Sequence, residues 1–263
     1  MSTLNHHVKQ LRKSRRIHVG TSGWSYEHWQ CYFYPEGLAP DRRLAYYKRQ
    51  FHSVEINSSF YRLPSPSVLA RWRDSVPEDF VFSVKASRYI THIKKLRDPR
   101  RTLKQFMMRV ELLAGKLGPI LFQLPPRWHI NADRLAAFLK VLPRGYRYAI
   151  EFRDPSWFNS RIYRLLAEHA VAFCIFDLNK MLSPVEVTAD FVYIRLHGPN
   201  GPYQGHYDDR TLAAWADAIR RWRRERREIF CYFDNDEAAY AVQDALRLQQ
   251  MLGGNNVPSR QPL

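Results

Sequence analysis

Three pairs of polar residues, Glu55/Asn57, Glu151/Arg153 and Arg195/His197, each stand two positions apart at the end of a short apolar run. On an extended strand that spacing turns both members to one face. Charged groups gathered on a face cost too much to bury singly, so the pairs predict a converging network. Lys85, Gln123, Asp177 and the pair Asp234-Asn235 end four further runs, and Thr21-Ser22-Gly23-Trp24 follows the first. Such a set can move protons and bind anions. Glu55 and Glu151 are candidate general acid and base, His197 is a second proton carrier, and Asp177 completes the catalytic candidates. Lys85, Arg153 and Arg195 supply positive charge, with Asn57, Gln123 and Asn235 as neutral hydrogen-bonding groups.

Aromatic residues crowd the segments after the same runs. Trp24, Tyr61, Trp157 and Tyr203 are the ones expected to wall a pocket for a planar ring or sugar, with helix-to-sheet packing as the competing use. The glycines of Gly198-Pro199-Asn200-Gly201-Pro202 would let backbone amides approach an anion. A metal is the alternative use of the carboxylates. Glu55, Glu151, Asp177, His197 and Asp234 form an oxygen-rich set suited to a divalent ion. Lys85, Arg153 and Arg195 compete for those carboxylates, and no H-x-x-x-H or C-x-x-C spacing supports a metal, so none is assigned. No organic cofactor motif is present, and a divalent metal is the one cofactor left open.

The elements that must position these residues are short strands alternating with amphipathic helices. The strand candidates are residues 17–21, 53–57, 80–84, 120–124, 148–152, 171–176, 191–196 and 229–233. They are compact and apolar, as strands buried on both faces should be. Pro66 after Ser65 opens a helix, and Asn131 caps another carrying Leu135, Phe138, Leu139 and Leu142. Residues 102–117 place Leu103, Phe106, Met107, Val110 and Leu113 on one face, residues 212–222 repeat the pattern, and residues 240–252 form the last helix. Eight strands over this length predict an α/β fold, a single TIM-type (β/α)₈ barrel over residues 17–252. The sixth unit is irregular, because residues 178–188 contain Pro184 and show no helix. An open doubly wound sheet is the runner-up, weakened by the lack of any glycine-rich nucleotide fingerprint.

Composition bounds the rest. Of 263 residues, 45% are hydrophobic and 25% charged, which excludes a disordered chain. The net charge of +16 is local: residues 1–16 carry five basic residues and no acid, residues 88–109 carry eight against Asp98 alone, and residues 220–228 carry six arginines against two glutamates. Residues 1–16 read as a basic flexible tail and residues 253–263 as a polar end. No run reaches the ~18 apolar residues of a membrane span, no secretory signal is evident, and three scattered cysteines give no disulfide framework. A cytoplasmic setting is expected, with no membrane partner. Oligomeric state is not readable.

Several of these segments together resemble the YecE-like family, a domain of unknown function numbered 72. They are Gly20-Thr21-Ser22-Gly23-Trp24, the stretch from Val54 to Tyr61, Phe82-Ser83-Val84-Lys85, the stretch from Gly118 to Pro126, Glu151-Phe152-Arg153 with Ser156-Trp157, the stretch from Thr188 to Gly198, and Tyr232-Phe233-Asp234-Asn235-Asp236. The resemblance covers about residues 17–252 and implies a (β/α)₈ barrel, without an established reaction. Asp234 departs from the family pattern, which usually has Asn there, and so does Asp244. The function expected from the residues is an enzyme, of hydrolase or lyase type, acting on a phosphate-bearing or otherwise anionic small molecule at the barrel mouth. The alternative is a nucleic-acid-binding barrel, of metal-dependent phosphodiesterase or nuclease type if catalytic, gripping phosphates through its basic patches.

Overall fold

The apolar runs pair side by side in a computed structural model that describes residues 17–253; the basic segment 1–16 and the polar end 254–263 lie outside the described residues. In chain order the strands are β1 Ile17–Thr21, β2 Ser53–Ile56, β3 Val81–Lys85, β4 Leu117–Gln123, β5 Tyr148–Glu151, β6 Ala172–Leu178, β7 Met181–Leu182, β8 Phe191–Leu196 and β9 Glu228–Phe233. The helices are α1 Arg43–Tyr47, α2 Pro66–Ser75, α3 Pro99–Val110, α4 Ala132–Leu139, α5 Ser160–Glu168, α6 Asp209–Arg224 and α7 Tyr240–Met251, with short 3₁₀ and π turns between. The expected caps form: Ser65 accepts from Val68 N at 3.3 Å and Asn131 from Arg134 N at 3.0 Å. None of the described helices is long and apolar enough to cross a membrane.

Eight strands pair in parallel in the order β1-β9-β8-β6-β5-β4-β3-β2, and the two ends of that order nearly close a barrel. The seam between β1 and β2 is thin. Gly23 N donates to Glu55 O at 2.8 Å. Below it the Tyr47 hydroxyl accepts from Thr21 N at 3.0 Å and lies 3.1 Å from Ser53 O. A side chain thus completes bonds that a full ladder would supply. Gly20 allows the approach, since a Cβ there would stand 2.2 Å from Ser53 O.

The apolar core has two parts. One lies between sheet and helices, and the other fills the barrel with Val81, Leu121, Ala149, Cys174, Phe191, Tyr193, Phe230 and Tyr232. Tyr232 carries the interior from apolar to polar, its hydroxyl 2.6 Å from Ser53 Oγ and 2.8 Å from Ser83 Oγ. Above that level the inward positions are charged.

The sixth unit has no helix. β6 turns back through Asn179 and Lys180, both at positive φ, and pairs antiparallel with β7. Thr188 then ties the return to β6, accepting from Phe173 N at 2.7 Å and donating to Val171 O at 2.6 Å. The stretch expected as one helix over 102–117 instead ends at Val110. A 3₁₀ turn, Glu111–Lys116, follows it, with Ala114 at φ 49°, and β4 begins at Leu117. The chain must reverse there to enter the sheet.

Candidate functional site

Arg195 is the centre of the barrel mouth. It projects inward from β8, fully buried, and meets a carboxylate on each of three other strands. Its Nη2 donates to Glu55 Oε1 at 2.8 Å and Asp234 Oδ2 at 2.9 Å, and its Nη1 to Glu151 Oε2 at 2.9 Å. The other oxygens of Glu55 and Glu151 are engaged as well. Ser22 Oγ donates to Glu55 Oε1 at 2.5 Å, Tyr193 to Glu55 Oε2 at 2.6 Å, and Arg153 Nε to Glu151 Oε1. Burial pushes the Glu151 carboxyl up, but Arg153 and Arg195 outweigh it and hold it well below the usual carboxylate range. Burial opposes the charge of Asp234 too, yet Arg195 and His197 keep its pKa lowered. These carboxylates are charge partners of Arg195 before they are acids or bases.

His197 closes the network on one side. Arg153 Nη2 stands 3.0 Å and Arg195 Nη1 3.3 Å from its Nε2. Guanidinium groups only donate, so Nε2 accepts and the ring proton sits on Nδ1. Nδ1 lies 3.1 Å from Asp234 Oδ2, close enough to pair but out of line for a hydrogen bond. Tyr203 stands edge-on over the same ring at 5.6 Å, half-exposed on the loop after β8.

Further unused hydrogen-bonding capacity lies on the other side of the mouth, over β2, β3 and β4. Asn57 Oδ1 and Gln123 Oε1 are buried without a hydrogen-bond partner among the described residues. Lys85 is only 6% exposed, and among the described residues no carboxylate oxygen lies within 4.0 Å of its Nζ. Its ammonium instead lies over the Phe60 ring, 4.4 Å from the centroid. Burial and the charge of Arg195 bring its pKa down to about 8. His92 packs edge-on against the same Phe60 at 5.0 Å. Burial, with the charges of Lys85, Arg88 and Arg153, brings its pKa down to about 4. Three cations therefore converge on one neutral imidazole. Phe60 also touches Tyr61, which lines a cleft of about 390 Å³ with Trp24, Tyr26, Asn57 and Trp72. A cationic lobe and an aromatic cleft thus adjoin through Phe60-Tyr61.

A family profile described as "Protein of unknown function DUF72" matches residues 18–262. The chain belongs to the DUF72 family. Among its relatives, the UPF0759 protein YecE of Escherichia coli K12 is 33% identical over 151 residues, which span 54% of this chain and half of YecE. The UPF0759 protein YunF of Bacillus subtilis is 23% identical over 90% of this chain and 94% of its own. Two solved DUF72 structures superpose on the fold. One from Thermotoga maritima has a TM-score of 0.82 at 30% identity, covering 90% of this chain and 99% of that one. One from Enterococcus faecalis has a TM-score of 0.79 at 21% identity, covering 94% and 100%, and bears on the fold alone. The YecE-like resemblance of the strand-end motifs is borne out. DUF72 membership carries no reaction, so the chemistry rests on the side chains.

Within this DUF72 barrel the structure gathers Glu55, Glu151, Arg153, Arg195, His197 and Asp234 at the mouth. Lys85, Gln123 and Asn57 face it on the opposite side, and Trp24 and Tyr61 share the cleft. Four expectations change. Phe176 turns inward beneath Arg153, so its neighbour Asp177 turns outward, where Tyr207 is the hydroxyl it faces. Asp234 likewise faces in and Asn235 out. Asn235 Nδ2 bonds Gly205 O and Asp244 Oδ2, both at 2.8 Å, and so anchors the loop after β8. Trp157 is a core residue, stacked on Phe152 at 4.9 Å with its Nε1 donating to Trp128 O at 2.6 Å. The Gly198 and Asn200 amides are spent inside their own loop, on the Tyr207 hydroxyl at 3.0 Å and Gln204 O at 3.3 Å.

Of the five residues considered as metal ligands, Asp177 points away, and the other four meet at Arg195, which stands between Glu55, Glu151 and Asp234. Among the described residues no group of three or more His, Cys, Asp or Glu is disposed to hold a metal ion. The sequence reading missed Arg88 and His92, which sit in and beside a π-helical turn whose irregular period hides them. It also missed Asp236, pushed up to about 6 by burial although Trp29 Nε1 donates to it at 2.6 Å.

Proposed function

We propose that the barrel mouth is a catalytic pocket for a small anionic molecule, with a phosphate-bearing sugar or ring compound as the leading class. The observation that carries this is Lys85. A lysine this buried beside the charge of Arg195, with no carboxylate oxygen within 4.0 Å of its ammonium among the described residues, is costly, and an anion that arrives from outside would offset that cost. Arg88 and Arg153 add charge to the same lobe. Asn57 and Gln123 offer acceptors for hydroxyl or N–H groups, and the adjoining aromatic cleft is the right size for a ring or sugar. His197, linked through Arg153 to Glu151, stands at the edge of the pocket as the group that would move protons, with Glu151 fixing Arg153.

The test is thermal unfolding with sugar phosphates and with the same sugars lacking phosphate. A ligand at about a hundred times its Kd should raise the midpoint by roughly 5–10 °C. Lys85→Met should abolish that rise while leaving the unliganded protein as stable as before or more so. A rise that survives in Lys85→Met contradicts the assignment.

A nucleic acid is the second reading. It is favoured by one observation: Arg88, Lys95 and Arg97 are exposed around the turn after β3, beside exposed Tyr89 and Ile93. The arginines of 220–227 lie at the other end of the barrel, just before β9 begins. Salt-dependent binding of single strands that is lost in Arg88→Ala/Lys95→Ala/Arg97→Ala would support this reading over the small-molecule one.

A further inference from the structure

Two lysines are buried in the described residues, and they differ in kind. Lys116, 5% exposed, spends its ammonium on the carbonyl oxygens of Arg73 at 2.7 Å and Val76 at 2.8 Å, and pairs with Glu78 at 3.3 Å. It is a structural lysine with its donors satisfied. Lys85 is as buried, yet among the described residues its ammonium has no hydrogen-bond or ion-pair partner and lies over the face of Phe60. It sits at the C-terminal end of β3 on the inner face, where the side chain opens toward the mouth. The strands on either side, β2 and β4, lead to Asn57 and Gln123, whose side-chain oxygens are buried with no hydrogen-bond partner among the described residues. The charged groups facing it are Arg195, Glu55, Glu151 and Asp234 from the barrel wall and His92 from the turn after β3.

We infer that Lys85 is a carbonyl-reactive amine that condenses with an aldehyde or ketone bearing an anionic group. This deepens the proposed function and rests on it for the anionic group alone. Desolvation beside another cation is the environment that turns a lysine into a nucleophile. At a pKa of about 8, roughly one Lys85 in ten is neutral at pH 7, against fewer than one in a thousand for an ordinary lysine. The neutral nitrogen attacks the carbonyl carbon, the C–N bond forms as the C=O π bond breaks, and one nitrogen proton passes to the oxygen to give a carbinolamine. A second proton, taken from solvent, lets that oxygen leave as water as the C–O bond breaks, and the nitrogen lone pair forms the protonated imine, whose positive charge replaces that of the ammonium near Glu55, Glu151 and Asp234. Water reverses the step. An iminium draws electrons from the adjacent carbon, so the class of reaction served is cleavage or formation of a C–H or C–C bond next to a carbonyl.

The experiment is reductive trapping on the full chain. Glycolaldehyde phosphate or glycolaldehyde is added with sodium cyanoborohydride, which delivers hydride to the imine carbon and fixes a secondary amine. Peptide mass mapping then locates the adduct. The expected result is labelling of Lys85 at least tenfold faster than of exposed Lys95 and Lys104, with a rate that rises through pH 8 and is lost in Lys85→Arg. Labelling spread over the exposed lysines with no preference for Lys85 overturns the inference. Equal rates at Lys85 with the phosphorylated and neutral aldehydes uphold the amine but overturn the anionic reading. Absence of a Lys85 adduct, where phosphate still raises the unfolding midpoint, overturns the amine and leaves the anion site standing.

Discussion

Replacing Arg195 with methionine is expected to cost about 3–5 kcal/mol of folding stability, because it leaves Glu55, Glu151 and Asp234 buried without their common cation. Methionine fills similar volume, so the loss reports charge and not a cavity. Urea unfolding at neutral pH measures it, and a loss below about 1 kcal/mol would contradict the central place given to Arg195. The cost should depend on pH. Glu151 and Asp234 titrate lower in the folded protein than unfolded. Their contribution is fully present above the unfolded carboxylate range near pH ~4 and drains away as pH falls through the depressed folded values. In Arg195→Met the part of that contribution which Arg195 supplies is already gone, while Arg153 and His197 keep the rest, so the gap between the two proteins should narrow on acidification. A gap that stays constant would mean the network is not what holds the mouth together.

Gly20→Ala is expected to cost about 3 kcal/mol, the second largest loss. Two effects oppose each other. Alanine restricts the unfolded chain and favours folding by about 0.4–1 kcal/mol. Against this, its Cβ would stand 2.2 Å from the Ser53 carbonyl and 3.0 Å from the Tyr47 hydroxyl. A backbone oxygen cannot rotate away as a side chain can, so β1 and β2 must part, and overpacking of this kind costs about 1–3 kcal/mol or more. Separation also pulls on the bonds from Tyr47 to Thr21 and Ser53 that complete the seam. Steric cost should win. Chemical denaturation of the alanine variant showing equal or greater stability would mean that the seam has slack.

The charged mouth was legible in the sequence because strand alternation is a rigid rule. Glu55, Glu151 and Arg195 lie at inward positions, and their i+2 partners follow. The same rule, applied to the residues one step along, explains the two misplacements. Phe176 and Asp234 face in, so Asp177 and Asn235 cannot. Trp157 was misjudged for another reason. A tryptophan in a loop after a strand is equally suited to a pocket wall or to packing, and only the position of Phe152 and Trp128 decides between them. What the sequence could not supply was the state of each group's hydrogen bonds. Arg195 and Lys85 look alike as inward basic residues, yet one has three carboxylates and the other has none. That difference comes from geometry across the barrel, between residues 39 to 140 positions apart. The net charge of +16 had pointed to the periphery, while the mouth proper balances Lys85, Arg153 and Arg195 against Glu55, Glu151 and Asp234.

The most direct test of the account is the titration of Lys85 itself, followed by NMR in protein carrying ¹³C-labelled lysine, with Lys85→Arg used to assign its signal. Lys85 is predicted to titrate near pH 8 in the free protein. Saturating sugar phosphate should move that midpoint upward, since a bound anion favours the ammonium form. A Lys85 that titrates with the exposed lysines near ~10.4, and whose midpoint no anionic ligand shifts, would contradict it.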